Sequence, residues 1–310
     1  MALYLGIDTS NYTTSAALFD GERMIQRKKL LPVRVGELGL RQSDAVFEHT
    51  RQLPELVEAC FQEAAPASLS AVGVSVRPRD QQGSYMPCFL AGESAARSVA
   101  AAFHIAAHPF SHQAGHIAAA LYSTGNMQLI ERPFICFHFS GGTTDCLLVS
   151  PDSTHVFSIE LLACSLDLKA GQAVDRVGRM LGLPFPAGAE LSALAEKSEK
   201  EFRIRPAFKG ENVSLSGVEN RCEALLRDGA PAEDVARFCL AFICRAAEEM
   251  TEHALSRCGN LPVIYAGGVM CSSYIRAHLT EKYGGAFADP AFSSDNAAGI
   301  AALAMVKDRK

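Results

Sequence analysis

Short apolar runs at 3–7, 14–19 and 24–31 are separated by the polar stretch Asp8-Thr9-Ser10-Asn11 and by an Asp20-Gly21 pair. Runs of this length bounded by turn residues predict a β-meander whose first bend is the polar stretch. Further along the pattern recurs, with runs at 134–139, 144–149 and 155–162, the small polar corner Ser140-Gly141-Gly142-Thr143 and a Pro151-Asp152 turn. Thr13-Thr14 then stands opposite Thr143-Thr144. A duplicated three-strand unit, each copy followed by helices, predicts an α/β chain of two similar lobes whose first bends face a cleft between them.

Apolar positions at Val46, Leu53, Leu56, Val57 and Cys60 follow the helical period and predict a helix over 44–64. A strand over 71–76, a polar stretch from 77 to 82, an Ala-rich helix ending near Phe103, a strand over 104–107 and a helix over 111–122 follow. In the second half the spacing predicts helices over 168–182, 189–199, 231–257, 271–282 and 295–306, with strands over 263–266 and 286–288. The expected boundaries are 1–110 for the first lobe, 111–132 for a histidine-bearing helical region, 133–290 for the second lobe with a helical insertion, and 291–310 for a C-terminal helix returning to the first lobe.

Composition narrows the class. Of 310 residues 48% are hydrophobic and 20% charged, which excludes a disordered or collagen-like chain. No run approaches the ~18 apolar residues of a membrane span, and Asp8 interrupts the first run too early for a signal peptide. A cytoplasmic protein without a membrane partner is expected. The 10 cysteines contain no C-x-x-C pair and read as reduced core residues. With 29 Lys and Arg against 34 Asp and Glu, the net charge of −5 lacks the basic excess of a protein that grips nucleic acid unaided. Basic residues cluster locally at Arg203, Arg205 and Lys209 and at Arg23, Arg27, Lys28 and Lys29, both read as solvated faces.

The chemistry concentrates at a few places. His112-Gln113-Ala114-Gly115-His116 sets two imidazoles one helical turn apart on one face, where both reach one metal ion, and Gly115 removes a side chain that would crowd it. Asp295, before an Ala-rich helix, is the candidate third ligand, or else a helix N-cap. Ser140, Gly141 and Gly142 suit backbone approach to a phosphate, or a turn that needs positive φ. Gly267 and Gly268 follow a buried strand and suit close approach of a nucleoside. Asp175 is either an acceptor for ribose hydroxyls or a helix-surface carboxylate. Asp8, at the first bend, is the candidate general base, or else a structural or magnesium-water carboxylate.

Taken in order, these segments resemble the TsaD/YgjD family, the tRNA threonylcarbamoyladenosine transferases of the actin-like ATPase (ribonuclease H-like) superfold. The family's H-x-E-G-H is similar to 112–116, its S-G-G-H-T to 140–144, and its A-G-E-A-F-D-K to 170–176. Its L-G-L-x-Y-P-G-G resembles 181–188, its S-F-S-G 214–217, its A-G-G-V 266–269 and its T-D-N-G 294–297. The resemblance implies two actin-like lobes, metal ligation by His112, His116 and Asp295, and adenylate contacts from Asp175 and Gly188. It implies one divalent ion, iron or zinc. It also implies ATP or threonylcarbamoyl-AMP as a bound adenine nucleotide, and tRNA reached through helper subunits, a pseudo-enzyme homologue and a small ATPase. The sequence departs from the family at Ala114 for glutamate, at Thr143 for histidine, at Ser272 for asparagine and at 77–82 for a G-P-G segment. Those departures leave open a paralogue that carbamoylates a small molecule or protein, or a silent scaffold partner.

Overall fold

The computed structural model describes residues 2–10, 12–32, 40–64 and 67–310. It divides into two compact units: Met1–Ile130 with Pro151–Ser158 and Ala291–Lys310, and Glu131–Ser150 with Ile159–Pro290.

In the first unit the meander β1 (Ala2–Ser10), β2 (Thr13–Phe19) and β3 (Met24–Leu30) leads through α1 (Gln42–Glu63) to β4 (Ser68–Arg77). Helix α2 (Phe89–Phe103), β5 (Ala106–Ser111) and α3 (His112–Ser123) follow. The sheet order is β3-β2-β1-β4-β5, with β4 parallel to both β1 and β5. Alternate side chains of β1 serve opposite faces. Leu5 and Ile7 join Leu53 and Cys60 of α1 and Ala96 of α2 in one core cluster. Tyr4, on the other face, packs with Ala304 of the C-terminal helix.

The second unit repeats the plan. Its meander is β6 (Phe134–Phe139), β7 (Thr144–Asp152) and β8 (Val156–Cys164), then come α4 (Ala170–Met180) and α5 (Gly188–Ala195). A hairpin β9 (Ala207–Lys209) and β10 (Asn212–Ser214), α6 (Gly217–Arg227) and the long α7 (Ala232–Cys258) precede β11 (Val263–Ala266). A 3-10 turn over Gly268–Cys271, α8 (Ser273–Tyr283), β12 (Ala286–Phe287), the short α9 (Pro290–Ser293) and α10 (Ala298–Asp308) end the chain. The sheet order is β12-β11-β6-β7-β8, which is the first sheet's order with β6 in the place of β1. Phe137, Phe139 and Tyr265 face α7 in the main core of this unit. The two-lobed fold of actin-like ATPases is therefore what the duplicated strand pattern encodes.

Several boundaries differ from the hydrophobicity reading for physical reasons. Asp8, Thr9 and Ser10 continue β1, and Ser10 pairs with Thr13; Asn11 lies outside the described residues. They remain in a buried strand because each finds a partner: the Thr9 hydroxyl donates to Cys88 O at 3.0 Å and the Ser10 hydroxyl to Asp8 Oδ2 at 2.5 Å. β5 begins at Ala106, not 104, since His104 ends α2 in a left-handed conformation, and it carries Pro109 as only an edge strand readily can. β7 runs through Pro151 and Asp152, and the turn comes after it, held by Asp152 Oδ1 accepting the N–H groups of Thr154 and His155. The helix expected at 271–282 is divided by Ser272, the residue between the 3-10 turn and α8. The hairpin β9–β10 and α6 escaped notice, the strands being three residues long. Seven of the 10 cysteines are buried, and all are free thiols. No helix among the described residues is long and apolar enough to cross a membrane.

Candidate metal centre

Helix α3 starts at His112 because Ser111 caps it, its hydroxyl oxygen accepting the N–H of Ala114 at 3.1 Å. The Ser111 hydroxyl donates to Asp80 Oδ2 at 2.7 Å, while Asp80 Oδ1 accepts from Nε and Nη2 of Arg77 at 3.0 and 2.7 Å. The polar stretch after β4 thus buttresses the start of the histidine helix.

From that start His112 and His116 project side by side, with ring centroids 4.4 Å apart and Nε2 atoms 3.0 Å apart. Asp295 Oδ1 lies 3.5 Å from His112 Nε2 and 3.3 Å from His116 Nε2. All three residues belong to the first unit. The approach of α10 to the sheet and to α3 brings Asp295 there. A Cβ on Gly6 would lie 2.4 Å from Ala297 O, one on Gly73 2.6 Å from Ile300 O, and one on Gly115 2.9 Å from Ile300 Cδ1. Gly115 therefore serves the contact between helices, not clearance around an ion. Asp295 does not cap α10, whose N-cap residue is Ala297; Asn296 Oδ1 accepts the N–H of Ala298 at 3.0 Å, leaving the aspartate to face the imidazoles. Beside it, Lys28 Nζ donates to Ser294 Oγ at 2.6 Å.

Separations of 3.0, 3.5 and 3.3 Å make the three ligand atoms a nearly equilateral triangle. Tetrahedral bonds of about 2.0–2.1 Å set ligand atoms about 3.3 Å apart, so the donor set fits one cation of zinc or ferrous size, with positions left for another ligand. Among the described residues this is the one cluster of three such side chains.

Charge supports the same reading. Asp8 is fully buried behind His112, with Oδ1 3.0 Å from His112 Nδ1. The hydroxyl of Ser75 also donates to Oδ1, and that of Ser10 to Oδ2. Burial alone would raise the Asp8 pKa, but the His112 charge and these hydrogen bonds prevail and hold it below the usual carboxylate value. Burial disfavours a charged His112, yet Asp8 and Asp295 on its two sides push it up to about 10. Burial opposes ionisation of Asp295 too, but the two histidines hold its carboxyl well below its ordinary value. Two carboxylates thus bracket one imidazole and call for a cation, whether a proton or a metal ion.

Asp8 accordingly stands not at an open bend but in a strand, with both oxygens engaged. Neither Ser75 nor Ser10 was legible as part of the site, since a serine in a strand carries no spacing signal.

The remaining candidates belong to the second unit. Ser140 Oγ accepts the N–H groups of Gly142 and Thr143 at 3.3 and 3.1 Å. Gly141 and Gly142 are absent from the positive-φ glycines, and a Cβ on either would meet nothing within 4 Å, so the turn itself does not demand glycine. Gly171, at the start of α4, would set a Cβ 2.5 Å from Gly141 N; the helix start abuts the loop. Gly267 has φ +96° and would set a Cβ 2.2 Å from Phe139 O, so strand contact fixes it, whereas Gly268 and Gly188 face open space. Asp175 Oδ1 accepts the N–H of Ala187 at 2.9 Å, tying α4 to the start of α5. Ser272, which stands in the place of the family's asparagine and which the resemblance implies as a nucleotide contact, is buried and shares a hydrogen bond with the Ser192 hydroxyl at 3.1 Å.

Residues 38–302 match the family model described as TsaD, tRNA N6-adenosine threonylcarbamoyltransferase. Similar solved structures include component A of the (R)-2-hydroxyglutaryl-CoA dehydratase of Acidaminococcus fermentans, 18% identical with a TM-score of 0.58, covering 100% of both chains. The activator of the 2-hydroxyisocaproyl-CoA dehydratase from Clostridium difficile, solved with bound ADPNP, is 16% identical with a TM-score of 0.56, over 99% of this chain and 96% of that one. HypF of T. kodakarensis is 13% identical with a TM-score of 0.62, over 99% of this chain and 47% of that one. At these identities the likeness is one of fold.

Proposed function

The chain belongs to the TsaD family, and on that premise we propose that it is a metal-dependent acyltransferase moving a threonylcarbamoyl group from threonylcarbamoyl-AMP to N6 of a tRNA adenosine. The observation that carries the reading is the triangle of His112, His116 and Asp295, with 3.0–3.5 Å edges and Asp8 behind it. A divalent ion held by these three side chains would supply Lewis acidity to a carbonyl or phosphoryl oxygen, raising the electrophilicity of the carbamoyl carbon.

The chain's own residues prepare that chemistry. Asp8 keeps the proton of neutral His112 on Nδ1 and so leaves the Nε2 lone pair for the cation. Ser10 and Ser75 hold Asp8 ionised. With its oxygens occupied and no exposed surface, Asp8 acts as a positioning residue and not as the base that deprotonates the acceptor amine. No protein nucleophile is required, because the mixed anhydride is already activated and AMP is the leaving group.

The nucleotide part of the proposal rests on features of the second unit. Gly141 and Gly142 are glycines that the backbone does not require, which is what close approach of a phosphate to a loop would select. Asp175 has Oδ2 for a ribose hydroxyl while Oδ1 is held by Ala187, and Gly188 leaves open space beside it. Gly267 and Gly268 are assigned to the nucleoside; Ser272 is not. The net charge of −5 supports a tRNA acceptor presented with helper subunits, a pseudo-enzyme homologue and a small ATPase among them.

Thr143 in the place of the family's histidine, together with Ala114, favours one second reading, transfer of a carbamoyl-type group to a small molecule or protein. A silent scaffold has no reason to keep three convergent ligands. Incubating the metal-loaded chain and its partners with threonylcarbamoyl-AMP and tRNA, followed by mass spectrometry of the nucleosides, separates these readings. Threonylcarbamoyladenosine is the expected product, and unmodified adenosine with donor consumed on another acceptor replaces the first reading by the second.

A further inference from the structure

The second unit contains a groove of about 1010 Å³ that no part of the proposed reaction uses, walled by the loop at 200–206 and by α6, α7 and α8. Its cationic lining includes Arg203, Arg205, Arg221 and Arg237. We propose that this groove binds the phosphodiester backbone of RNA, the acceptor's strand, with those four arginines as the phosphate contacts. The proposal rests on the tRNA reading above and extends it to a specific surface.

The state of the cations carries the argument. In the other basic cluster of the chain Arg23 and Arg27 pair with Glu63 and Lys29 with Glu55, while Lys28 donates to Ser294 Oγ. In the groove Lys200 pairs with Asp234, and Arg245 with Glu248 and Glu249. Among the described residues Arg203, Arg205, Arg221 and Arg237 have no ion-pair partner. Of the two carboxylates in the lining, Glu248 is already engaged by Arg245, His278 and Lys282, which leaves Glu201 alone against four guanidinium groups. A chain of net charge −5 that concentrates unpaired arginines in one concavity creates a local field of the opposite sign to its total.

The form of the groove selects among anions. Four guanidinium groups spread over two helices and a loop exceed what one phosphate group engages, and guanidinium forks match phosphate oxygens bidentately. Arg237 lies over the Tyr274 ring, 4.2 Å from its centroid, and Phe202 lines the same groove. Aromatic and guanidinium planes beside a cationic track are the elements on which the bases of an unpaired strand stack. An acidic peptide would use the charge but not the rings.

The test is fluorescence anisotropy of a labelled, unmodified tRNA transcript with the full-length chain over a series of KCl concentrations, without metal or donor. Arg203 and Arg221 are exposed, so R203E/R221E leaves the core intact, which its melting curve checks. Wild type is expected to bind weakly at 50 mM KCl, where the local field of the groove is little screened, although the net charge of −5 leaves tight binding to the helper subunits. R203E/R221E is expected to bind at least about tenfold more weakly, with a log–log salt slope smaller by about 1.4–1.8, since each of the two lost phosphate contacts contributes about 0.7–0.9. R203K/R221K should keep the slope, and R23E/R27E should match wild type. Absence of wild-type binding at 50 mM KCl, or unchanged affinity and slope in R203E/R221E, overturns the proposal. So does displacement of tRNA by polyglutamate as readily as by polyuridylate, which would assign the groove to an acidic protein. Displacement by inorganic tripolyphosphate at lower phosphate concentration than by polyuridylate would assign it to a nucleotide and overturns it equally. Because no transfer occurs in this assay, arginine-dependent binding without modification in the transfer assay defeats only the transferase reading, and modification with arginine-independent binding defeats only the groove.

Discussion

A Cβ on Gly299 would stand 1.9 Å from the carbonyl oxygen of Gly115 and 2.6 Å from the N atom of Ala119. Gly115 lies between the two histidines and Gly299 in the first turn of α10, just after Asp295, so the distance between the backbones of α3 and α10 sets the size of the ligand triangle. Gly299→Ala must drive two backbones apart, an overpacking that costs about 1–3 kcal/mol and opens the site. The expected result is a lowered melting temperature together with loss of bound metal. Gly115→Ala meets only the flexible end of Ile300, at 2.9 Å, and should retain most of both. Equal metal content in wild type and Gly299→Ala would show that the helix contact does not govern the site.

Removal of a ligand is the more direct perturbation. His116→Ala and Asp295→Asn are each expected to lower metal content from one ion per chain to a small fraction by elemental analysis, because two remaining donors hold a divalent ion poorly. Asp295→Asn also removes one of the two carboxylate charges that hold His112 protonated in the ion-free protein, Asp8 being the other, so the His112 pKa, followed by NMR in that state, should fall.

His49 supplies a pH dependence separate from the metal. Thr14 Oγ1 donates its single hydrogen to Gln52 Oε1 at 2.9 Å, so at 2.8 Å it must accept from His49 Nδ1–H. Nε2 is then the bare nitrogen, and it is buried with no partner. Burial, opposed only by the charge of Asp8, lowers the pKa to about 4. Between the unfolded value of 6.5 and about 4 the unfolded chain binds a proton that the native chain refuses. This contribution is therefore complete above pH 6.5 and is lost as pH falls through about 4, at most roughly 3 kcal/mol from this group. Denaturant titrations of wild type and His49→Gln should show the smaller slope with pH in the variant; parallel slopes would assign the acid sensitivity elsewhere.

The two three-strand meanders were legible because apolar runs and turn residues alternate cleanly and the same order of runs recurs, whereas the places of β4, β5, β11 and β12 in the sheets come from the structure. The histidine pair was legible from spacing, and Asp295 was legible as a candidate ligand but not distinguishable from a helix cap until the family resemblance, since nothing local marks an aspartate whose partners come from another helix. What escaped was whatever depends on the third dimension. Asp8 read as a bend because its neighbours are polar, yet Thr9 donates to Cys88 O, Ser10 to the Asp8 carboxylate and Ser15 to the Asp8 carbonyl, so each is satisfied inside the fold. Gly115 read as clearance for an ion, although the atom it avoids belongs to Ile300. Arg203 and Arg205 read as solvated surface because composition does not reveal that Arg221 and Arg237 line the same groove.

The role of Asp8 separates two mechanisms that activity alone would not distinguish. As a positioning residue it fixes the His112 tautomer through the 3.0 Å contact to Nδ1, and loss of such a partner weakens metal binding about 10–100-fold. Asp8→Asn can still accept the Nδ1 hydrogen but carries no charge, so metal affinity should fall within that range, and transfer measured at saturating metal should largely recover. Ser75→Ala removes one donor to the same carboxylate and should shift affinity in the same direction by less. A general base behaves otherwise: Asp8→Asn would abolish transfer at every metal concentration while leaving affinity unchanged. Titration of the metal into both variants, alongside transfer at saturation, decides between the roles, and unchanged affinity in Asp8→Asn would return the aspartate to proton transfer.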